Sequence, residues 1–185
     1  MADPVFRSSV TSAETTSAES TSAAAVTISD VSDWSKCSVK AGEGTETAKG
    51  FAVALGTAAQ RNGVLVVHHR QHEWLLLGSA AQVDETIHNL DRDGFVSTVD
   101  LTHGRMMLRV SGPRSADVLA KVCSSNFDDA FTPNRAAWGA TVARVTCDLV
   151  RDDQVGVRSY LLLCDRSYGD YFFQSLLDAA DEFAD

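Results

Sequence analysis

The chain has 185 residues, four cysteines and a net charge of −9, a size that fits one domain or one domain with a tail. A nucleic-acid or anionic-membrane surface needs a basic patch, so 25 acidic against 16 basic residues argue against both. No apolar run approaches the roughly 20 residues that span a bilayer, and the opening MADPVFRSSV lacks the basic start and apolar core of a secretory signal. A cytoplasmic protein is the reading that follows.

Residues 1–30 are dominated by Ser, Thr and Ala, too little apolar surface to offset the entropy of ordering a chain. They read as a polar arm, disordered or held by a partner, ahead of a single domain over 31–185. Patterning starts near Val31-Ser32-Asp33-Trp34. Gly42 and Gly44 mark a loop, and the apolar stretch 50–56 reads as a strand. Asn62-Gly63 favours a tight turn; residues 64–68 form a strand by β-branched content, Gln71-His72 turn, and 73–78 return as its antiparallel neighbour. Ser79 and Gln82 match a capping box, and Val83, Ile87 and Leu90 make the apolar stripe of the helix that follows, ended by Asp93-Gly94.

Residues 95–101 and 105–110 read as strands, the second with Met106, Leu108 and Val110 on one face. Ser111-Gly112-Pro113 opens a helix that buries Val118, Leu119 and Val122. Residues 128–138 are irregular, 139–150 read as one partly alternating strand, Asp152-Asp153 as a turn, and 157–164 as a central strand. Asp165 or Ser167 caps a last helix that buries Tyr171, Phe172, Leu176 and Ala179. Strands with helices on one face give an α+β fold with ferredoxin-like split β-α-β elements and an antiparallel sheet.

Few motifs carry chemistry. There is no GxxxxGK[ST], GxGxxG, HExxH or GxSxG. His68, His69 and His72 cluster, with His88 and His103 elsewhere, but neighbours in a strand point to opposite faces, so a metal site is not expected. Cys37, Cys123, Cys147 and Cys164 form no CxxC pair and read as buried free thiols. Asp148, between Cys147 and Leu149, is a weak candidate for a catalytic acid; the solvent face of an antiparallel strand is the reading preferred for it. Asp152 and Asp153 read as solvated turn charges. Trp34, Trp138 and His103 are candidates for an interface.

Several segments, in order, resemble a known family. Thr98-Val99-Asp100-Leu101-Thr102-His103, then Leu108-Arg109-Val110-Ser111-Gly112-Pro113, then Ala116-Asp117-Val118-Leu119 are similar to the folate-binding aminomethyltransferase superfamily. Glu73-Trp74-Leu75-Leu76-Leu77 and the ending from Ser167-Tyr168-Gly169-Asp170-Tyr171 to Leu176–Phe183 resemble, within it, the gamma subunits of heterotetrameric sarcosine oxidases. The resemblance implies an aminomethyltransferase-like folate-binding-domain fold. It also implies a non-catalytic companion chain that packs mainly on an alpha subunit, with beta and delta subunits completing the complex. Such complexes oxidise the N-methyl group of sarcosine, giving glycine and hydrogen peroxide, and pass the one-carbon unit to tetrahydrofolate. FAD, FMN, NAD, zinc and the folate site belong to the other subunits, so no cofactor is expected in this chain. Where the superfamily carries an acidic pair this chain has Cys147-Asp148, which leaves one acid. A stand-alone folate-binding or methyl-transfer protein is the alternative.

Overall fold

The computed structural model describes residues 8–10 and 25–183. Its elements stack in four layers: helices, sheet, sheet, helices. One sheet holds β2 (Ser35–Ala41), β3 (Thr57–Arg61), β4 (Val64–Arg70), β5 (Glu73–Gly78) and β6 (Val96–Asp100) in the order β3-β4-β5-β2-β6. The other holds β1 (Thr27–Asp30), β7 (Arg105–Ser111), β8 (Ala137–Val142), β9 (Val145–Arg151) and β10 (Ser159–Asp165) in the order β1-β7-β10-β9-β8. Every pairing is antiparallel. Helices α1 (Glu46–Phe51) and α2 (Ala80–His88) cover the first sheet, and α3 (Ser115–Val122) and α4 (Gly169–Ala180) the second.

This layering explains why the strands read as unbroken apolar runs. In β7, Met106, Leu108 and Val110 face α3 and α4, while Met107 faces the other sheet. In β4, Leu65 and Val67 point between the sheets, and Val64 and Val66 point to α1 and α2. A strand buried on both faces loses the apolar–polar alternation of a half-solvated one. The sheets also join at one edge: Ala58 N–H donates to Arg135 C=O and Ala137 N–H to Gly56 C=O, both at 2.8 Å.

The α+β class and the antiparallel sheets agree with the expectation, Tyr171 of α4 is exposed rather than buried, and three readings of local structure change. The stretch 50–56 is not a strand. Thr45 caps α1 by accepting from Ala48 N–H, Phe51 is buried at its end, and Ala52 stops it in the left-handed region, φ 46°. A capped single turn with a buried Phe outweighs a pattern too short to define a period. Residues 139–150 are parts of two strands. The hairpin between β8 and β9 turns on Ala143 and Arg144, both left-handed at φ 46° and 65°, without the Asn-Gly that usually signals such a turn.

The third change is at the arm boundary. β1 lies inside residues 1–30 and pairs with β7, Thr27 opposite Ser111 and Asp30 opposite Leu108. Val26 and Ile28 are buried in the core beneath α3 and α4, and so is Val10. Gly112 makes room for this segment: at φ +119° a Cβ there would sit 2.7 Å from Ala25 C=O. Residues 1–7 and 11–24 lie outside the described residues, and the readings of disorder or partner binding in the arm fall on them.

Candidate functional site

Asp148 is where the resemblance marks a remnant of an acidic pair. Adjacent residues in a strand face opposite layers. Cys147 therefore points to the helices, and Asp148 points between the sheets, 3% exposed. The expected solvent face does not exist, because β9 is covered on both sides. Arg105 Nη2 of β7 donates to Asp148 Oδ2 at 2.8 Å and to Leu163 C=O at 2.9 Å, and Arg70 Nη2 of β4 donates to Asp148 Oδ1 at 3.0 Å. The carboxylate is thus tied to both sheets.

His69 lies beside it. Its Nε2 is 3.7 Å from Asp148 Oδ1, its side chain is 1% exposed, and neither ring nitrogen has a hydrogen-bond partner. Burial lowers the His69 pKa against the raising pull of Asp148, so the ring is neutral and its approach is not an ion pair. Arg105 Nε is also buried without a partner. This centre offers a carboxylate held by two guanidinium groups, one from each sheet.

A second acidic centre lies four residues on. Asp152 accepts from Arg109 Nη2 at 2.8 Å and Gln154 Nε2 at 2.7 Å through Oδ2, and from Arg135 through Oδ1. Arg151 grips Asp153 with Nε and Nη2, both at 3.0 Å, and donates to Thr132 C=O at 2.7 Å. Hydrogen bonds to Asp153 and Asp129 hold the Arg151 pKa above its ordinary value. Asp152 is buried, so reading Asp152-Asp153 as solvated turn charges is overturned for it. A cleft of about 720 Å³ opens here, lined by Trp34, Asp33, Gln60, Arg135, Asp152 and Gln154 among others.

The interface candidates separate. Trp34 is half-buried against the inter-sheet core, with the Arg109 guanidinium 5.5 Å from its ring centre. Trp138 is half-buried, donates from Nε1 to Ser125 Oγ at 3.1 Å and packs on Phe127. His103 is exposed in the turn between β6 and β7. His68 stacks on Trp74 and bonds Val53 C=O through Nδ1 at 2.8 Å, whereas His69 faces the other layer. Among the described residues no three His, Cys, Asp or Glu are placed to hold a metal ion. All four cysteines are buried free thiols; contact with Cys164, then burial, raises the Cys147 pKa. Sequence reasoning missed Arg70, Arg105, Arg109 and Lys36. The signal available was that Arg70 and Arg105 end apolar strands and Arg109 lies within one, where an unpaired charge is too costly to bury.

With the geometry established, the chain can be compared with known proteins. Residues 57–184 match the GCVT N-terminal domain. The chain belongs to that family. A chain of the heterotetrameric sarcosine oxidase from Corynebacterium sp. U-96, in complex with pyrrole 2-carboxylate, shares its fold. Their TM-score is 0.73 at 24% identity, over 86% of each chain. The glycine cleavage system aminomethyltransferase T from Bartonella henselae gives a TM-score of 0.60 at 13% identity, over 82% of this chain and 45% of that one. No curated protein matches by sequence. The aminomethyltransferase-like α+β fold is therefore established for this GCVT-family chain. No described helix is long and apolar enough to cross a membrane.

Proposed function

We propose that this chain is the non-catalytic gamma-type subunit of a cytoplasmic, heterotetrameric sarcosine-oxidase complex, packing mainly on its alpha subunit. In this reading the complex demethylates sarcosine oxidatively to glycine, releases hydrogen peroxide and transfers the one-carbon unit to tetrahydrofolate. FAD, FMN, NAD, zinc and folate sit in the other subunits. The observation that carries the reading is one of extent. The fold corresponds over 86% of both chains to a chain of a heterotetrameric oxidase, but to only 45% of the aminomethyltransferase. The internal bonding of Asp148 supports a structural role, since a general acid must reach the proton it moves.

The test is to tag the chain in its native host and purify it under mild conditions. A multi-chain, flavin-containing assembly that releases peroxide with sarcosine is the expected result. A lone chain that binds tetrahydrofolate would replace this reading with the stand-alone folate protein.

A further inference from the structure

We infer that β6 is a strand-addition site, filled in the assembled protein by an extended segment of a different, partner chain. This rests on the subunit reading above. The register between β2 and β6 pairs residues whose numbers sum to 137, as in Lys40 with Ser97. Gly42 N–H donates to Phe95 C=O and Leu101 N–H to Lys36 C=O, both at 2.8 Å. In an antiparallel pair, bonded and non-bonded positions alternate. The odd residues of β6 therefore bond β2, and the N–H and C=O of Val96, Thr98 and Asp100 point to the free edge. Among the described residues these groups meet no main-chain partner.

At the opposite edge of its sheet, β3 lies where the two sheets join, with Ala58 N–H donating to Arg135 C=O and Ala137 N–H to Gly56 C=O. Edges left open are usually blunted by Pro, a bulge or an outward Lys, and β6 has none of these. Its side chains point the same way. Phe95 and Val99, two alternate positions apart on the face turned toward the second sheet, are 65% and 52% exposed because that sheet does not reach them. A cleft of about 440 Å³, lined by Lys40, Glu43, Gln71, His72, Glu73 and Phe95, opens beside them. An added strand gains affinity from main-chain bonds and specificity from pockets for alternate side chains. This edge offers three bonding residues, an apolar pair and a cleft.

Charge selects the occupant. A second copy paired symmetrically about Thr98 would set Asp100 opposite Val96, with no opposite charge to hold it, and would bring together two chains of net charge −9. Net charge far from zero keeps copies of a chain apart. The fitting occupant is a heterologous strand, apolar at alternate positions, with Lys or Arg near Asp100 and Glu43.

The experiment compares amide exchange of Val96, Thr98 and Asp100 in the chain alone and in the complex purified from its native host. We expect protection of all three to rise at least tenfold on assembly. Thr98→Pro, which removes an outward N–H without touching a bond to β2, should weaken assembly at least tenfold. Thr98→Val, which keeps that N–H, should assemble normally, and both variants should keep the parent Tm within a few degrees. A complex that forms while the three amides stay unprotected, or that tolerates Thr98→Pro, overturns this inference and leaves the subunit reading standing. A β6-dependent dimer of the chain alone, seen by sedimentation, replaces the partner strand with a second copy. A chain that purifies without partners overturns both readings.

Discussion

Asp148 and Asp152 lie four residues apart, both buried and both held by two arginines, yet they do different work. Asp148 joins the two sheets: Arg70 belongs to β4 and Arg105 to β7, and beside it an imidazole and a guanidinium nitrogen lack partners. Asp152 stays within one sheet and its loops, with both oxygens bonded. One centre is a cross-link with polar capacity left over, the other a saturated clamp beside an open cleft. Similar residues in one short segment thus take their character from what lies opposite them.

That contrast can be broken by experiment, starting at the clamp. Asp152→Ala strips a carboxylate from Arg109 and Arg135 and should cost about 3–5 kcal/mol, the range for removing one partner of a buried pair. Urea unfolding checks it. A cost near zero would mean the two arginines find water at once. Lys36 tests the same end on the alkaline side. It is fully buried and donates to Ser32 and Trp34 C=O, both at 2.7 Å, fixing the tryptophan that lies over Arg109. Burial lowers its pKa from 10.5 to about 8. Between these values the unfolded chain keeps a proton that the folded chain has lost, so stability should rise with pH, by at most about 3 kcal/mol. Lys36→Met should abolish that rise in melts taken across the window.

Asp148→Asn should cost about 2 kcal/mol, less than the clamp because Arg70 can turn to water. Turnover per intact complex should stay within a few-fold, whereas loss of a general acid would lower it roughly 10²–10⁴-fold. His69→Phe should change neutral-pH stability by less than about 1 kcal/mol, since the ring loses no hydrogen bond. The folded pKa is lowered from 6.5 by burial, so the unfolded state binds the extra proton and stability falls as pH drops below that value. The variant should flatten that acid limb, seen as a smaller loss of Tm between pH 7 and 5.

Much of the frame was legible in the sequence. Ser79 accepts from Gln82 N–H at 3.4 Å at the start of α2, as the capping box implied, and Met106, Leu108 and Val110 share the face that alternation gave them. Burial of Asp148 was not legible, because alternation tells which residues share a face but not whether a second sheet covers it. β1 was hidden because four residues in a Ser/Thr-rich stretch have no period of their own and are strands only by pairing with β7. The Ala143-Arg144 turn was hidden because residues that rarely adopt left-handed backbone carry no turn signal. Arg70 and Arg105 come together only through the stacking of the sheets, which no local spacing encodes.

The division of strands between the sheets sets an order for the nascent chain. β2 to β6 run without interruption from Ser35 to Asp100, so all the strands of that sheet leave the ribosome before β7 does. β1, though made before β2, belongs to the other sheet, and its Thr27 pairs with Ser111. That strand therefore waits while a whole sheet forms beside it. It docks only when the later half emerges, with Gly112, the residue that admits it, following directly after its last partner.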